Sequence, residues 1–158
     1  MNQFLIFRHF WLLAVAATFF NALTLKFRSQ RHIQERPELA DGYRRFFYGF
    51  LFWGNLPWLV MGIGIELGGV PTVFSYFRPR DGNPFVLAWF ASDIALWLLG
   101  FYWLFARRGA EFLIEYPGLL RGPTPTTAGI RRVYCLAVAG GVIGLILMFI
   151  MDVPKFPI

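Results

Sequence analysis

A chain of 158 residues that is 57% hydrophobic and 20% aromatic, with 15% charged residues and a mean hydropathy of +0.52, carries more apolar surface than a soluble domain of that length could hide. The net charge of +6 argues for anionic lipid headgroups and against nucleic acid, because the arginines flank long apolar runs. The single Cys135 excludes an intrachain disulfide and lies in an apolar run, where a lone thiol is packing.

Taken in chain order, four stretches are long enough to cross a bilayer at roughly 20 residues each: about 4–25, 46–67, 85–106 and 133–151. The first resembles a secretory signal only superficially. Its first basic residue is Arg8, and the charge cluster follows the apolar run, so it reads as a retained anchor. Between spans one and two lie Lys26, Arg28, Arg31, Arg36, Arg44 and Arg45, and between spans three and four lie Arg107, Arg108, Arg121, Arg131 and Arg132. The other side holds only Arg8, Arg78, Arg80 and Lys155. The positive-inside rule then places both connections in the cytoplasm, and both termini and the 68–84 loop on the periplasmic side. The expected fold is all-α: a single transmembrane domain over 1–158, an integral membrane four-helix bundle of two helical hairpins.

The two basic connections echo each other. "ERPEL" at Glu35 precedes "GYRRFF", and "EYPGL" at Glu115 precedes "GIRRVY", with the insertion "RGPTPTT" in the second. A parallel duplication of one hairpin explains this, and so does convergence of membrane-flanking loops. In either case the residue before proline is driven from helical geometry, so spans one and three should run on as helix and stop near Pro37 and Pro117.

Polar residues inside apolar spans mark candidate sites. In span two, Asn55 and Pro57 fall near the bilayer centre. Pro57 leaves the Trp53 carbonyl without a helical donor, and Asn55 is placed to offer its amide to a neighbouring helix. Gly64 and Gly68 have the GxxxG spacing of close helix contact, and Ala137, Gly140, Gly141 and Gly144 repeat the theme in span four. Glu66 lies at the outer end of span two, within reach of water. Asp93 lies about 12 Å into span three, where a carboxylate needs a partner or a proton. Arg8 and His9 enter from the same side at a similar depth and are its expected partners, with Ser92 or Asn55 next.

Several chemistries find no support. His9 and His32 would be about 34 Å apart on one helix, too far for one haem, and no cofactor is expected. No His, Cys or carboxylate group has metal-ligand spacing. Ser29, Ser75 and Ser92 are the only serines, with no G-x-S-x-G around any of them. "GIGIELGG" lies within a span and lacks the strand-turn-helix context of a nucleotide fingerprint. "GAEFLIEYPGLL" fits either a headgroup-level segment or the end of the span-three helix.

The stretches "PELADGYRRFFYGFLFWGNLPWLVMGIG", "FRPRDGNPFVLAWF" and "GAEFLIEYPGLL" resemble an uncharacterised family of bacterial multi-pass, four-helix inner-membrane proteins with no assigned activity. The resemblance covers roughly residues 35–120. It implies the bacterial inner membrane and supplies no catalytic residue. Three functions are then open. One is a structural or accessory component that works through helix contacts with a membrane-protein partner. The second is a small transporter or channel built as a homo-oligomer around Asp93 or Glu66, since one four-helix unit encloses little of a pore. The third is an enzyme acting on lipid, with Asp93 as acid or base.

Overall fold

The computed structural model describes residues 3–120 and 126–151. Arg121, Lys155 and most of the "RGPTPTT" insertion lie outside the described residues. Six α-helices follow in order: α1 (Gln3–Arg8), α2 (Phe10–Glu35), α3 (Ala40–Glu66), α4 (Pro84–Ala106), α5 (Gly109–Glu115) and α6 (Thr127–Ile150). No strand occurs among the described residues. The fold is an all-α bundle in which α2, α3, α4 and α6 are long and apolar enough to cross a membrane.

Local sequence accounts for the helix ends. Before each of the echoed prolines the chain leaves helical geometry: Arg36 at φ −141° and ψ 80°, Tyr116 at φ −107° and ψ 85°. Pro37 then opens a short 3₁₀ turn, Pro37–Leu39, that runs directly into α3. At α4 the Asn83 side chain accepts from the Phe85 and Val86 N–H groups at 2.9 and 3.4 Å, with Pro84 in the first turn. The same side chain donates to the Gly69 carbonyl at 2.6 Å, which fastens the end of one membrane helix to the start of the next. Thr126 caps α6 by accepting from the Gly129 N–H at 3.0 Å.

Two helix boundaries differ from the sequence reading. The first span is broken at His9, which separates α1 from α2. The third stops at Ala106, and Arg108 takes a left-handed conformation at φ 57° before α5 begins. The expected continuous extension to Pro117 is therefore a bend and a second short helix. Burial explains the bend, because it turns Ala110 and Leu113 into the core at the basic end. The segment "GAEFLIEYPGLL" thus packs on its neighbours.

The core has two parts. At the end away from the arginines, Met61, Ile65, Val70, Val73, Tyr76, Val86 and Phe90 form one cluster. At the basic end, Leu39, Tyr43, Leu104, Ala110, Leu113 and Leu119 form the other. Between them the bundle is thinly packed, and many large side chains point outward, among them Phe20, Leu98 and Val133, each about two-thirds exposed (67%, 66% and 67%). Outward aliphatic and aromatic side chains all around a helix suit lipid as solvent.

Seven of the described glycines are sockets for aromatic rings rather than a helix-on-helix seam. A Cβ at Gly62 would stand 2.6 Å from the Trp11 indole, and one at Gly141 2.6 Å from Trp97. Gly64 receives Tyr76 and Phe85, Gly69 receives Phe85, Gly100 receives Tyr134 and Gly42 receives Tyr116. The Gly64/Gly68 pair therefore corrects the expectation of a GxxxG contact. Gly68 lies beyond the end of α3 at φ +74°, where a residue with a Cβ is disfavoured, and it turns the chain out of the helix.

Candidate functional site

The polar residues singled out in the spans fall into two groups. At the end opposite the two arginine-rich connections, the break at His9 brings α1 and α2 against the last turn of α3. Arg8 lies 3.9 Å and the His9 Nδ1 3.6 Å from the Glu66 carboxylate. All three side chains are about half exposed (50%, 42% and 45%), so the cluster is an interfacial one in reach of water. Arg8 and His9 therefore partner Glu66 and not Asp93. The depth argument put them at the right end of the bundle but chose the wrong acid, because α2 packs on α3 and its start meets the end of that helix.

Beneath this cluster, Tyr76 is almost fully buried, and its hydroxyl donates to the Met61 carbonyl at 3.0 Å. Burial pushes its hydroxyl up to about 12, so it stays a neutral donor at any physiological pH. Tyr76 belongs to a 3₁₀ turn, Val73–Phe77, between α3 and α4. Its role was not read from the sequence. The signal available was a tyrosine between the phenylalanines of "VFSYF", in the connection that follows the glycine-rich end of span two.

The second group lies mid-bundle. Pro57 sits inside α3, which continues through it. The Asn55 amide donates to the Leu51 carbonyl of its own helix at 2.7 Å, not to a neighbouring helix, and its Oδ1 is buried without a hydrogen bond. An intrahelical bond next to the proline steadies the turn whose ladder Pro57 interrupts.

Asp93 sits on the inward stripe of α4 formed by Val86, Phe90, Trp97, Gly100 and Leu104. It makes no hydrogen bond or ion pair among the described residues, and Ser92 turns its hydroxyl to the Trp89 carbonyl at 2.7 Å. The expected pairing of Asp93 with Arg8, His9, Ser92 or Asn55 is thus not made. Register places the carboxyl group nonetheless. On α3, Gly64 meets Phe85 and Phe46 lies 6.3 Å from Trp103, which brings Asp93 level with Asn55 and Leu56. On α6, Gly141 meets Trp97 and Phe149 lies 5.6 Å from Phe90, which brings it level with Leu145 and Ile146.

The helix α6 is the least covered of the four, with no buried residue. Tyr134 anchors it by donating to the Trp97 carbonyl, and Arg131 by donating to the Leu104 carbonyl at 3.2 Å and to Glu111 at 2.9 Å. A guanidinium at the carbonyl end of α4 also complements the helix dipole. Gly140 and Gly144 differ from the socket glycines: no atom lies within 4 Å of a Cβ at either. Their face of α6 is open. Among the described residues no cluster of three or more His, Cys, Asp or Glu is close enough to hold a metal ion.

These features define a class of protein: an all-α bundle with four membrane-length helices, an inward acid with no partner among the described residues, and one open glycine-bearing helix. Compared with known proteins, the chain matches no family model, no curated protein and no solved structure.

Proposed function

We propose that the protein is a multi-pass component of a bacterial inner membrane, with both termini periplasmic, that acts as a structural or accessory partner through helix–helix contacts. The observation that carries this reading is the open face of α6 at Gly140 and Gly144. Glycine weakens a helix by roughly 1 kcal/mol relative to alanine, and elsewhere in the bundle seven glycines each receive an aromatic ring. A glycine pair four residues apart with nothing against it suits a second helix at close range. Asp93 adds to the reading, because it lies at the level of Leu145, the residue after Gly144, and an acid in a bundle is stabilised by a donor from outside when none is offered inside. The arginine bias supports the orientation.

Native mass spectrometry of the protein extracted gently from its own membrane tests this. The expected result is a stable complex with another membrane protein, lost in Gly140→Ile/Gly144→Ile while the helical content is kept. The unpartnered Asp93 also favours a second reading, an oligomeric transporter or channel. Its mark is a symmetric homo-oligomer and a pH-dependent flux in proteoliposomes that Asp93→Asn abolishes.

A further inference from the structure

At the basic end, α2 and the first turns of α3 enclose a cavity of about 240 Å³. Two cations line it, Lys26 from α2 and Arg44 from α3, against Leu25, Phe46, Phe47 and Leu119. The Lys26 ammonium makes no hydrogen bond or ion pair among the described residues, and its Nζ stands 5.8 Å from the Phe47 ring centroid. Arg44 pairs only with Asp41, at 3.0 Å, and both side chains are largely exposed (69% and 71%). Such a pair holds its partners weakly and leaves the guanidinium able to meet another anion.

A second cavity of about 250 Å³ shares Leu25 and Leu119 with the first and continues past Phe50 toward the middle of the bundle. Its one cation, Arg28, is committed to the Leu120 carbonyl at 2.9 Å. Asn21 and Thr24 also line this second cavity, so the cationic cavity adjoins one whose apolar side is Leu25, Phe50, Leu119 and Leu120. Depth agrees with this arrangement. Arg44 lies about 33 Å along α3 from Glu66 at 1.5 Å per residue, close to the full thickness of a hydrocarbon core of about 30 Å. Lys26 reaches the same level with its long stem.

We propose that this pair of cavities binds one anionic phospholipid from the leaflet at the basic end. Lys26 and Arg44 take the headgroup phosphate, and an acyl chain lies along Leu25, Leu119 and Phe50. The inference rests on the membrane placement proposed above. A basic pocket between membrane helices at headgroup depth recognises lipid phosphate by charge, and the apolar side of the adjoining cavity, Leu25, Phe50, Leu119 and Leu120, separates a lipid from a free phosphate ion.

Purified protein in detergent is titrated with phosphatidylglycerol, phosphatidylcholine and inorganic phosphate, with bound adducts counted by native mass spectrometry. The expected result is a single phosphatidylglycerol site preferred over phosphatidylcholine by on the order of tenfold, with no phosphate retained. Lys26→Ala/Arg44→Ala should abolish the preference and Lys26→Arg/Arg44→Lys should keep it. Arg31→Ala/Arg36→Ala, which removes the same charge at the same end outside the cavity, should keep it as well. Equal loss in the last variant, no lipid preference, or phosphate binding as tightly as lipid would each overturn the site. Alkaline carbonate extraction is run beside it. Release of the protein from membranes would overturn the membrane placement too, whereas retention without lipid preference overturns the lipid site alone.

Discussion

The hydroxyl of Tyr43, on α3, donates a hydrogen bond to the carbonyl of Pro117 at 2.7 Å, and the Tyr43 and Tyr116 rings meet edge to face at 5.1 Å. The two echoed loops therefore lie against each other, with Leu39 and Leu119 in one core cluster. Tyr43→Phe should leave the Pro117 carbonyl unpaired in that contact and cost about 1 kcal/mol. Gly42→Ala should cost more, because its new methyl group meets the Tyr116 ring. Reversible unfolding in mixed micelles measures both, and equal stability of Gly42→Ala and the parent would contradict the contact.

The socket glycines make a second contrast. Gly64→Ala drives a methyl group into Tyr76 and Phe85, at an expected cost of about 1–3 kcal/mol. Gly49 lies within α3 with nothing within 4 Å of its Cβ position, so Gly49→Ala should stabilise, by up to about 1 kcal/mol. Thermal unfolding of the two variants side by side separates socket packing from a general need for glycine.

Asp93 gives a third. With no partner among the described residues, its carboxyl group is an uncompensated polar group on the inward stripe of α4. Asp93→Leu should therefore stabilise the isolated chain, by about 1–3 kcal/mol. The same variant should weaken any assembly in which another chain supplies the donor. A loss of stability in the isolated chain would mean that Asp93 already has a partner within it.

Orientation is the fourth. In a Cys135→Ser background, Arg80→Cys should react with a membrane-impermeant maleimide in intact cells with the outer membrane opened. Glu38→Cys should react only after the inner membrane is broken. The reverse pattern would invert the topology.

Much of the fold was legible because lipid imposes a simple pattern. Four apolar runs gave four membrane-length helices, and the geometry forced on Arg36 and Tyr116 by the following prolines gave the ends of α2 and α5. The breaks at His9 and Arg108 were not legible, because each is set by what the next segment packs against. Glycine patterns misled for the same reason: spacing is visible in sequence, but whether a glycine faces Trp11, as Gly62 does, or nothing, as Gly140 does, depends on the partner helix. At the candidate site, depth along the chain put Arg8, His9 and Glu66 at one end of the bundle. The expected hairpin already laid span one along span two, but depth alone does not say which neighbouring helix a side chain faces, and so it assigned the cations to Asp93.

The central claim, that the glycine-bearing face of α6 meets another protein, is tested most directly by a photo-cross-linking scan of α6 in its own membrane. Ala137 and Leu147 flank Gly140 and Gly144 on that face, whereas Cys135 and Ile146 lie on the other flank of the helix. Probes at Ala137 and Leu147 should capture one and the same protein, and probes at Cys135 and Ile146 should capture lipid alone. Lipid adducts at all four positions would contradict the account.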